Sequence, residues 1–336
     1  SDEAAKLRRN ARNAFAEAKE RLSSLGKGKG NVVLLASLCA AVAGISYGLA
    51  GTVSQLFAAQ GLSVGNITVV QFVASAIILA VPVIIRYHDF PSAKDTVKLL
   101  VVGLFQPGSA ICYYTAISML TVGQAVAMQF QYVWIAVVIQ CIVERVAPKK
   151  MAVISSLLIV FGTIFGSGIA DEVMSGSGGG LSLLGLAVGG ACAICYAVFI
   201  YFNGRVATDT HPITRSFIIS LSGVALSSIL YPGTYADMVA DPMAFIPCGV
   251  VMGCLTLLIP VMCLSFAGRQ LDGGTVAMLT ALELPAAAFS GFLVLGDALS
   301  GFVVFGILVI LGAVVLSSKG DSSKPSAEAG ASEASQ

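Results

Sequence analysis

The sequence predicts an all-α membrane protein whose ten transmembrane helices form two inverted-topology five-helix repeats. The first observation is composition: the 336 residues are 57% hydrophobic and 11% charged, whereas soluble domains are about 25% charged. The second is a set of ten apolar segments of about 20 residues, the length that crosses a hydrocarbon core of about 30 Å. These segments are 31–58, 66–86, 96–118, 122–142, 151–170, 181–203, 213–231, 243–267, 273–295 and 300–317.

The third observation is the placement of positive charge. All 19 Lys and Arg residues lie in the N-terminal stretch, in or beside every second loop, or in the C-terminal tail. The alternate loops, near 60–65, 119–121, 171–180, 232–242 and 296–299, hold none. Because positive residues favour the cytoplasmic side of a membrane, this alternation predicts ten crossings with both termini in the cytoplasm.

Alignment of the chain with itself at an offset of 150 residues predicts a duplication. Residues 126–128 and 276–278 both read Val-Ala-Met, and Gly103 aligns with Gly253. Since each repeat has five helices, an odd number, the second repeat enters the membrane from the opposite side. Inverted repeats of this kind are typical of secondary transporters, whose binding site lies near the midplane between the halves.

The predicted chain has five parts. Residues 1–30 form a basic cytoplasmic segment, which is either an amphipathic helix on the anionic lipid of the inner leaflet or a loosely ordered extension. Residues 31–170 form the first repeat and 181–317 the second, joined by an external Gly-rich linker at 171–180. Residues 318–336, rich in Ser, Ala and Glu, are predicted to be a disordered cytoplasmic tail.

The ninth segment carries an acidic residue, Glu283, near its middle. A carboxylate at that depth costs about 2.5–3.5 kcal/mol on insertion scales, which favours a binding or proton-coupling role over a merely hydrogen-bonded carboxyl. Helical spacing places Thr280 on the same small and polar stripe. Pro285 lacks an N–H, so we expect it to leave the Ala281 carbonyl unpaired and to kink the helix.

Aromatic and amide side chains of other segments are predicted to face this acid between the two halves. An aromatic wall beside one anion suits a cationic or zwitterionic guest, through cation–π attraction of about 0.5–2 kcal/mol per ring. We predict a cavity lined by the third, fourth, sixth and ninth helices, with the glycine face of the first helix packed behind it. The predicted substrate-binding residues are Glu283, Thr280, Trp134, Tyr132, Gln129, Tyr113, Gln106 and Tyr196, with Glu283 and Pro285 as coupling or gating residues.

What the sequence lacks disfavours several functions. No Lys or Arg lies mid-membrane in the predicted topology, which disfavours nucleotides, sugar phosphates and other multiply charged anions. The sequence has no Walker motif, so ATP-driven transport by this chain alone is excluded. The net charge of +1 gives no indication of nucleic-acid binding, and no cofactor or metal is predicted.

One motif points to a different class of function. Residues 44–48 match the pattern GxSxG, which would make Ser46 the nucleophile of an intramembrane hydrolase. That chemistry needs a strand-to-helix turn and a His base, but His88 and His211 both fall in predicted loops. Packing glycines explain the motif better, so we predict no catalytic residues and no enzyme activity.

Two signatures carry a family resemblance. Residues 282–285 read Leu-Glu-Leu-Pro and 296–299 read Gly-Asp-Ala-Leu, and in the first repeat Phe-Gln-Tyr at 130–132 precedes Glu-Arg at 144–145. Over about residues 31–317 the chain thus resembles the drug/metabolite transporter superfamily, of the EamA-domain type with ten helices in two repeats.

This sequence departs from the family pattern at two places. Asp297 replaces the family's glutamate, and Trp134 and Ile135 stand where the first repeat usually has a proline. The resemblance implies alternating-access transport of small organic solutes such as amino acids, amines or drugs, often proton-linked or by exchange. It also implies that Glu283 serves gating or coupling, because a near-midplane Glu-Pro recurs in members with different substrates.

The residues and the resemblance together predict a secondary active transporter of the cytoplasmic membrane. Its expected substrate is a small zwitterionic or neutral organic metabolite, amino-acid or drug-like, and the expected direction is export, with a proton or a second solute as counter-substrate. The alternatives are a transporter of a monocationic amine or quaternary ammonium compound, a membrane scaffold without transport, and the intramembrane hydrolase.

Overall fold

The computed structural model describes residues 2–87, 90–117, 119–120, 122–176, 182–296 and 299–321, and every regular element in these ranges is helical. The helices are α1 (Asp2–Ala59), α2 (Val64–Ile85), α3 (Ala93–Ile117), α4 (Val122–Gln129), α5 (Tyr132–Glu144), α6 (Lys150–Gly166), α7 (Ile169–Met174), α8 (Leu183–Asn203), α9 (Pro212–Leu230), α10 (Thr234–Ala240), α11 (Pro242–Gly253), α12 (Ile259–Gln270), α13 (Gly273–Thr280), α14 (Glu283–Ser290) and α15 (Gly301–Asp321).

The predicted all-α class with ten membrane helices is confirmed. Within the described ranges, eight stretches are long and apolar enough to cross a membrane, and two shorter apolar helices complete the ten. The shorter ones are Lys150–Gly166 and Gly301–Leu316, the fifth and tenth predicted segments. Three spans are interrupted: the fourth consists of α4 and α5, the eighth of α11 and α12 around a π-helical turn, and the ninth of α13 and α14.

The ends of the chain and the linker differ in part from the expectation. The predicted linker at 171–180 starts inside a short helix, because α7 continues to Met174. The predicted tail from 318 is helical as far as Asp321, and its remainder lies outside the described residues. The side chains of residues 2–30 also lie outside the description, so the amphipathic surface predicted there stays a prediction.

Helix packing follows a two-fold pattern. The contact between α3 and α8 has its counterpart between α12 and α1, and the contact between α3 and α9 has its counterpart between α11 and α2. Likewise, α8 packs on α4 and α5, and its counterpart α1 packs on α13 and α14. The fifth helices of the two repeats, α6 and α15, pack on each other. These paired contacts are what an inverted repeat of five-helix units produces.

The buried core lies where the two halves meet, and the outer surface is apolar. Tyr132, Tyr196 and Val276 belong to the core, with at most 5% of their surface exposed. Large apolar side chains such as Ile84 and Leu157 point outward and are exposed. A surface of this kind matches a hydrocarbon solvent, in which exposed aliphatic side chains carry no penalty.

Candidate functional site

The ninth span is broken next to the predicted acid. α13 ends at Thr280 and α14 begins at Glu283, so the carboxylate lies in the first turn of a helix. The Ala281 carbonyl was expected to be unpaired because Pro285 has no N–H. Instead the Leu284 N–H donates to it at 3.3 Å. This hydrogen bond joins residues three apart instead of four, as in a 3₁₀ turn. It pairs the carbonyl that the proline would otherwise leave without a donor.

The fourth span is broken as well, although it contains no proline. The Gln131 N–H donates to Met128 O at 3.2 Å instead of to Ala127 O, four residues back. The side chain of Gln131 repairs this loss, because its Nε2 donates to Ala127 O at 2.9 Å. Its Oε1 in turn accepts from Trp134 Nε1 at 2.9 Å. An amide and an indole thus accompany the break at the place where the family resemblance led us to expect a proline.

The two breaks occupy equivalent places in the repeats. Tyr132 begins α5 as Glu283 begins α14, one residue from Val133, which the offset of 150 pairs with the acid. The Tyr132 Oη donates to Ala277 O, at 3.3 Å, in α13 of the other half. Each broken helix therefore contacts the broken helix of its partner repeat.

Glu283 is held by one side chain from each half. Gln129 Nε2 donates to its Oε1 at 3.3 Å, and Tyr196 Oη donates to its Oε2 at 3.2 Å. The Tyr196 ring makes edge contacts with Tyr132, at 4.6 Å between centroids, and with Tyr47, at 5.8 Å. A carboxylate accepts about four hydrogen bonds, so this one keeps acceptor capacity for a ligand.

The glycine face of α1 packs directly against the broken ninth span. A methyl group placed on Gly44 would lie 2.4 Å from the Thr280 carbonyl oxygen, and one on Gly48 would lie 2.4 Å from that of Glu283. Only glycine permits this approach, so the Gly-rich pattern of the first span serves packing as predicted.

A cavity of about 430 Å³ lies beside Glu283 between the two halves. Its wall includes residues of α1, α2, α3, α4, α8, α14 and the eighth span. The residues that line it are Tyr47, Gly48, Ala50, Gly51, Ser54, Gln55, Ala58, Val64, Ile67, Gln106, Ser109, Ala110, Tyr113, Tyr114, Val126, Gln129, Phe130, Tyr196, Met252, Thr256, Glu283, Leu284 and Ala287.

Five of the predicted binding residues line this cavity, and three do not. Glu283, Gln129, Gln106, Tyr113 and Tyr196 are on its wall. Thr280 is fully buried, and its hydroxyl donates to Val276 O at 2.8 Å. Tyr132 is fully buried behind the Tyr196 ring. Trp134 is 44% exposed on the outer surface, so the geometry does not support its predicted role as a cavity wall.

The sequence reasoning missed residues of the first and eighth helices. Tyr47, Gln55 and Thr256 line the cavity, although the first helix was expected only to pack behind it. Tyr47 lies between Gly44 and Gly48, and the glycines alone were interpreted. A tyrosine in the middle of an apolar span, away from the membrane interface, was the available signal.

The cavity reaches the end of the bundle that carries no positive charge. Gln55, Ala58 and Val64, at the junction of α1 and α2, line it and are exposed. This junction is one of the loops without Lys or Arg, which the sequence analysis predicts to be external.

Polar contacts join the spans at the opposite, positively charged end. Glu144 Oε1 accepts from Tyr201 Oη at 3.0 Å and from Arg205 Nη2 at 3.4 Å, while Arg205 lies 4.2 Å over the Tyr201 ring. Gln140 Oε1 accepts the Gly274 N–H at 2.9 Å, which links the fourth and ninth spans. These contacts form what we call the cytoplasmic seal, after the side that the positive-inside rule predicts for this end.

One ion pair of the seal lies in the loop before α13. Lys149 Nζ is 3.1 Å from Asp272 Oδ2, and Asp272 caps α13 by accepting from the Thr275 N–H at 2.7 Å. Burial alone would raise the pKa of Asp272, but the Thr275 N–H and the Lys149 ammonium outweigh it and hold the pKa below its ordinary value. The pair therefore joins the first repeat to the second while Asp272 is ionised.

The hydrolase alternative finds no support in the geometry of Ser46. This residue lies within the continuous helix α1 and not at a strand-to-helix turn. Its Oγ donates to Leu255 O of the eighth span at 2.7 Å. His211 stacks on Tyr87 at 3.9 Å between centroids, in the loops at the positively charged end, and His88 lies outside the described residues.

The first repeat is similar to a known family of transporters. Residues 34–167 match the model of the EamA-like transporter family. A threonine/homoserine exporter, RhtA, of Salmonella typhimurium strain SL1344 is 23% identical over 232 residues, which is 66% of this chain and 70% of the relative, and RhtA of strain LT2 matches equally.

A solved structure titled "Crystal structure of protein" shares the fold. It superposes with a TM-score of 0.63 at 14% identity, and the match covers 83% of this chain and 96% of that one. The names of the family and of the relatives point to a transporter rather than an enzyme, in a multi-pass membrane protein. The match over residues 34–167 confirms the predicted resemblance to EamA-type drug/metabolite transporters.

Proposed function

We propose that this protein is a secondary active transporter of the cytoplasmic (inner) membrane, with both termini inside, that exports a small zwitterionic or neutral organic metabolite by alternating access. One observation carries the proposal: a single carboxylate, Glu283, lies on the wall of a cavity between two broken helices. An amino acid fits this site in charge and size, and the threonine/homoserine exporters similar to this chain support that substrate class.

The charge of the wall selects against anions. Among the described residues that line the cavity, Glu283 is the charged one, and none is Lys, Arg or His. A phosphate or dicarboxylate would bury its charge without a partner, which costs several kcal/mol. A zwitterion avoids this cost, because its ammonium group can contact Glu283 while its carboxylate stays in water at the open end.

Alternating access follows from the two ends of the bundle. The cavity reaches the external end, whereas the cytoplasmic seal holds Glu144, Tyr201 and Arg205 together at the other. Export requires a second state in which the seal opens and the external end closes. The breaks beside Gln131 and Pro285 are where the fourth and ninth spans can bend between these states.

Glu283 also provides coupling. When the ammonium group of a substrate leaves, the carboxylate loses its counter-charge, and a proton or a second substrate can replace it. Either exchange returns the site to a neutral state before the halves move. Pro285, two residues away, keeps this part of the helix free to adjust.

The proposal is tested in proteoliposomes that contain the full chain. The wild type is expected to exchange labelled homoserine, and Glu283→Gln is expected to lower the rate about 10- to 100-fold, the value of a charge-assisted contact. Asp95→Asn, which removes an exposed acid at the start of α3, is the matched control. Absence of amino-acid transport by the wild type, or full transport by Glu283→Gln, would refute the proposal.

A second candidate substrate is a monocationic amine or quaternary ammonium compound. The rings of Tyr47, Tyr113, Tyr114 and Tyr196 line the cavity around the acid, and aromatic faces attract cations by about 0.5–2 kcal/mol each. Competition with labelled homoserine distinguishes the two classes. If a quaternary ammonium compound is transported and homoserine is not, the second candidate replaces the first.

A further inference from the structure

The polar groups near Glu283 are rich in hydrogen-bond acceptors. Two of the carboxylate's acceptor positions are used by Gln129 and Tyr196, and the others are open. Tyr47 and Gln106 belong to the same wall, on α1 and α3. Tyr47 Oη and Gln106 Oε1 are shielded from water and, although the two side chains lie near each other, neither oxygen makes a hydrogen bond of good geometry in the described part of the chain.

Unpaired buried oxygens are costly, and a ligand with N–H groups removes that cost. A carboxylate and an amide oxygen only accept hydrogen bonds, and a phenol oxygen can accept as well. Tyr47 and Gln106 both belong to the cavity wall, so the inference requires their side chains to rearrange until each oxygen reaches a bound group. A primary ammonium group carries three N–H donors, one for each of Glu283, Gln106 and Tyr47. A trimethylammonium group carries none.

The rest of the wall offers a carboxylate only neutral hydrogen-bond donors. Among the described lining residues there is no cationic side chain. The Ser54 hydroxyl donates to Gly51 O at 2.7 Å, and the Thr256 hydroxyl donates within the protein, to Gln71 Oε1 at 3.1 Å or to Met252 O at 2.7 Å. The Gln55 amide lies exposed at the mouth, where a carboxylate would remain in water.

Resting on the proposed function, we infer that the site recognises one end of its substrate only. Glu283, Gln106 and Tyr47 select an ammonium group that carries N–H bonds, and the carboxylate of an amino acid contributes little. Primary amines and amino alcohols without a carboxylate are therefore substrates of this transporter, and quaternary ammonium compounds are not.

Three probes that differ by one group each test this inference. They are homoserine, aminopropanol (homoserine without its carboxylate) and the N-trimethyl derivative of aminopropanol. Binding to the purified full chain is measured by calorimetry or by the thermal shift that ligand binding produces. Aminopropanol is expected to bind within about threefold of homoserine, and the trimethyl derivative about tenfold or more weakly, because its N–H contacts are lost.

Two variants assign the selectivity to residues. Tyr47→Phe and Gln106→Leu are each expected to weaken aminopropanol about tenfold while changing the trimethyl derivative less, since each removes one acceptor for an N–H. Tyr235→Phe is the matched control, because its hydroxyl contacts Ser228 at 2.5 Å away from the cavity. The ratio of the affinities for the two probes is compared between each variant and the wild type. A lost contact changes this ratio, whereas a general loss of folding weakens the binding of both probes equally.

The outcomes separate the inference from the proposed function. If homoserine binds and aminopropanol does not, or if the trimethyl derivative binds as tightly as aminopropanol, the inference is wrong and amino-acid transport stands. If no probe binds the wild type, the proposed function fails and the inference with it. Equal selectivity in Tyr47→Phe, Gln106→Leu and wild type would remove these two residues from the recognition of the ammonium group and so overturn the inference.

Discussion

The broken fourth and ninth spans are equivalent in position and differ in chemistry. In the ninth span Pro285 removes an N–H and Glu283 follows the break, whereas in the fourth span Gln131 repairs the break with its own amide and Tyr132 follows it. Both repeats therefore have the bend, but only one has the acid. The break is therefore a feature of both repeats, whereas the charge is specific to the second, and we infer that the charge serves the function.

The largest expected effect comes from exchanging the residues that begin α5 and α14 for close analogues. Glu283→Gln is expected to lower transport about 10- to 100-fold, whereas Tyr132→Phe, which loses only its hydrogen bond to Ala277 O, is expected to lower it less than about tenfold. Rates of homoserine exchange in proteoliposomes measure both. If the two variants were impaired equally, the distinction between bend and charge would fail.

The contact of α1 with the ninth break gives the next effect, on stability. Gly44→Ala or Gly48→Ala forces a methyl group to 2.4 Å from a carbonyl oxygen of Thr280 or Glu283. Overpacking of this kind costs about 1–3 kcal/mol, measured as a lower unfolding temperature in detergent. Gly51→Ala is the matched control, because its added methyl meets open space. Equal losses for Gly51→Ala and Gly44→Ala would contradict the close approach.

The repair of the fourth span provides a smaller effect. Gln131→Leu removes the side-chain bond to Ala127 O and is expected to destabilise the protein by about 1 kcal/mol, the net value of one hydrogen bond. Pro285→Ala acts in the opposite sense, since it restores an N–H and lets the ninth span straighten. We expect Pro285→Ala to preserve stability and slow transport. We expect Gln131→Leu to lower stability and leave the transport rate nearly unchanged. Thermal unfolding and exchange rates together check this contrast.

The smallest effect concerns the cap of α13 and its dependence on pH. The pKa of Asp272 is lowered in the folded state, so its stabilising contribution is present above its ordinary pKa of about 3.9 and is lost as pH falls through the lower folded value. The contribution of the partner charge is less than about 1 kcal/mol, because Lys149 is largely exposed. Wild type is expected to lose more stability than Asp272→Asn on acidification. Parallel acid denaturation curves would contradict this.

Periodicity and charge were enough to predict the fold. The length of the apolar segments and the alternation of Lys and Arg between loops are set by the membrane, so each span can be predicted from them without knowledge of helix packing. Glu283 was predicted as the central group for the same reason: a carboxylate in an apolar span is visible in the sequence whatever its neighbours are. Gln129 and Tyr196, its two hydrogen-bond donors, were also predicted.

The orientation of individual side chains was harder to predict. In a membrane span both the lipid face and the buried face are apolar, so the sequence does not show which way Trp134 or Tyr47 points. Trp134 was expected inside and lies outside, where it supports Gln131. The fourth span contains no proline from which its break could have been predicted. The break depends on an amide three residues from an indole, a pattern that propensity rules do not include.

The glycine contacts of α1 have a mechanical consequence. Because Gly44 and Gly48 touch the main chain on either side of the ninth break, the first helix cannot slide past the acid without a steric clash. In the proposed transport cycle we therefore expect a shift of this part of the ninth span to move α1 with it, and α1 also carries Gln55 at the mouth of the cavity. We expect binding at Glu283 and narrowing of the mouth to be coupled through this contact.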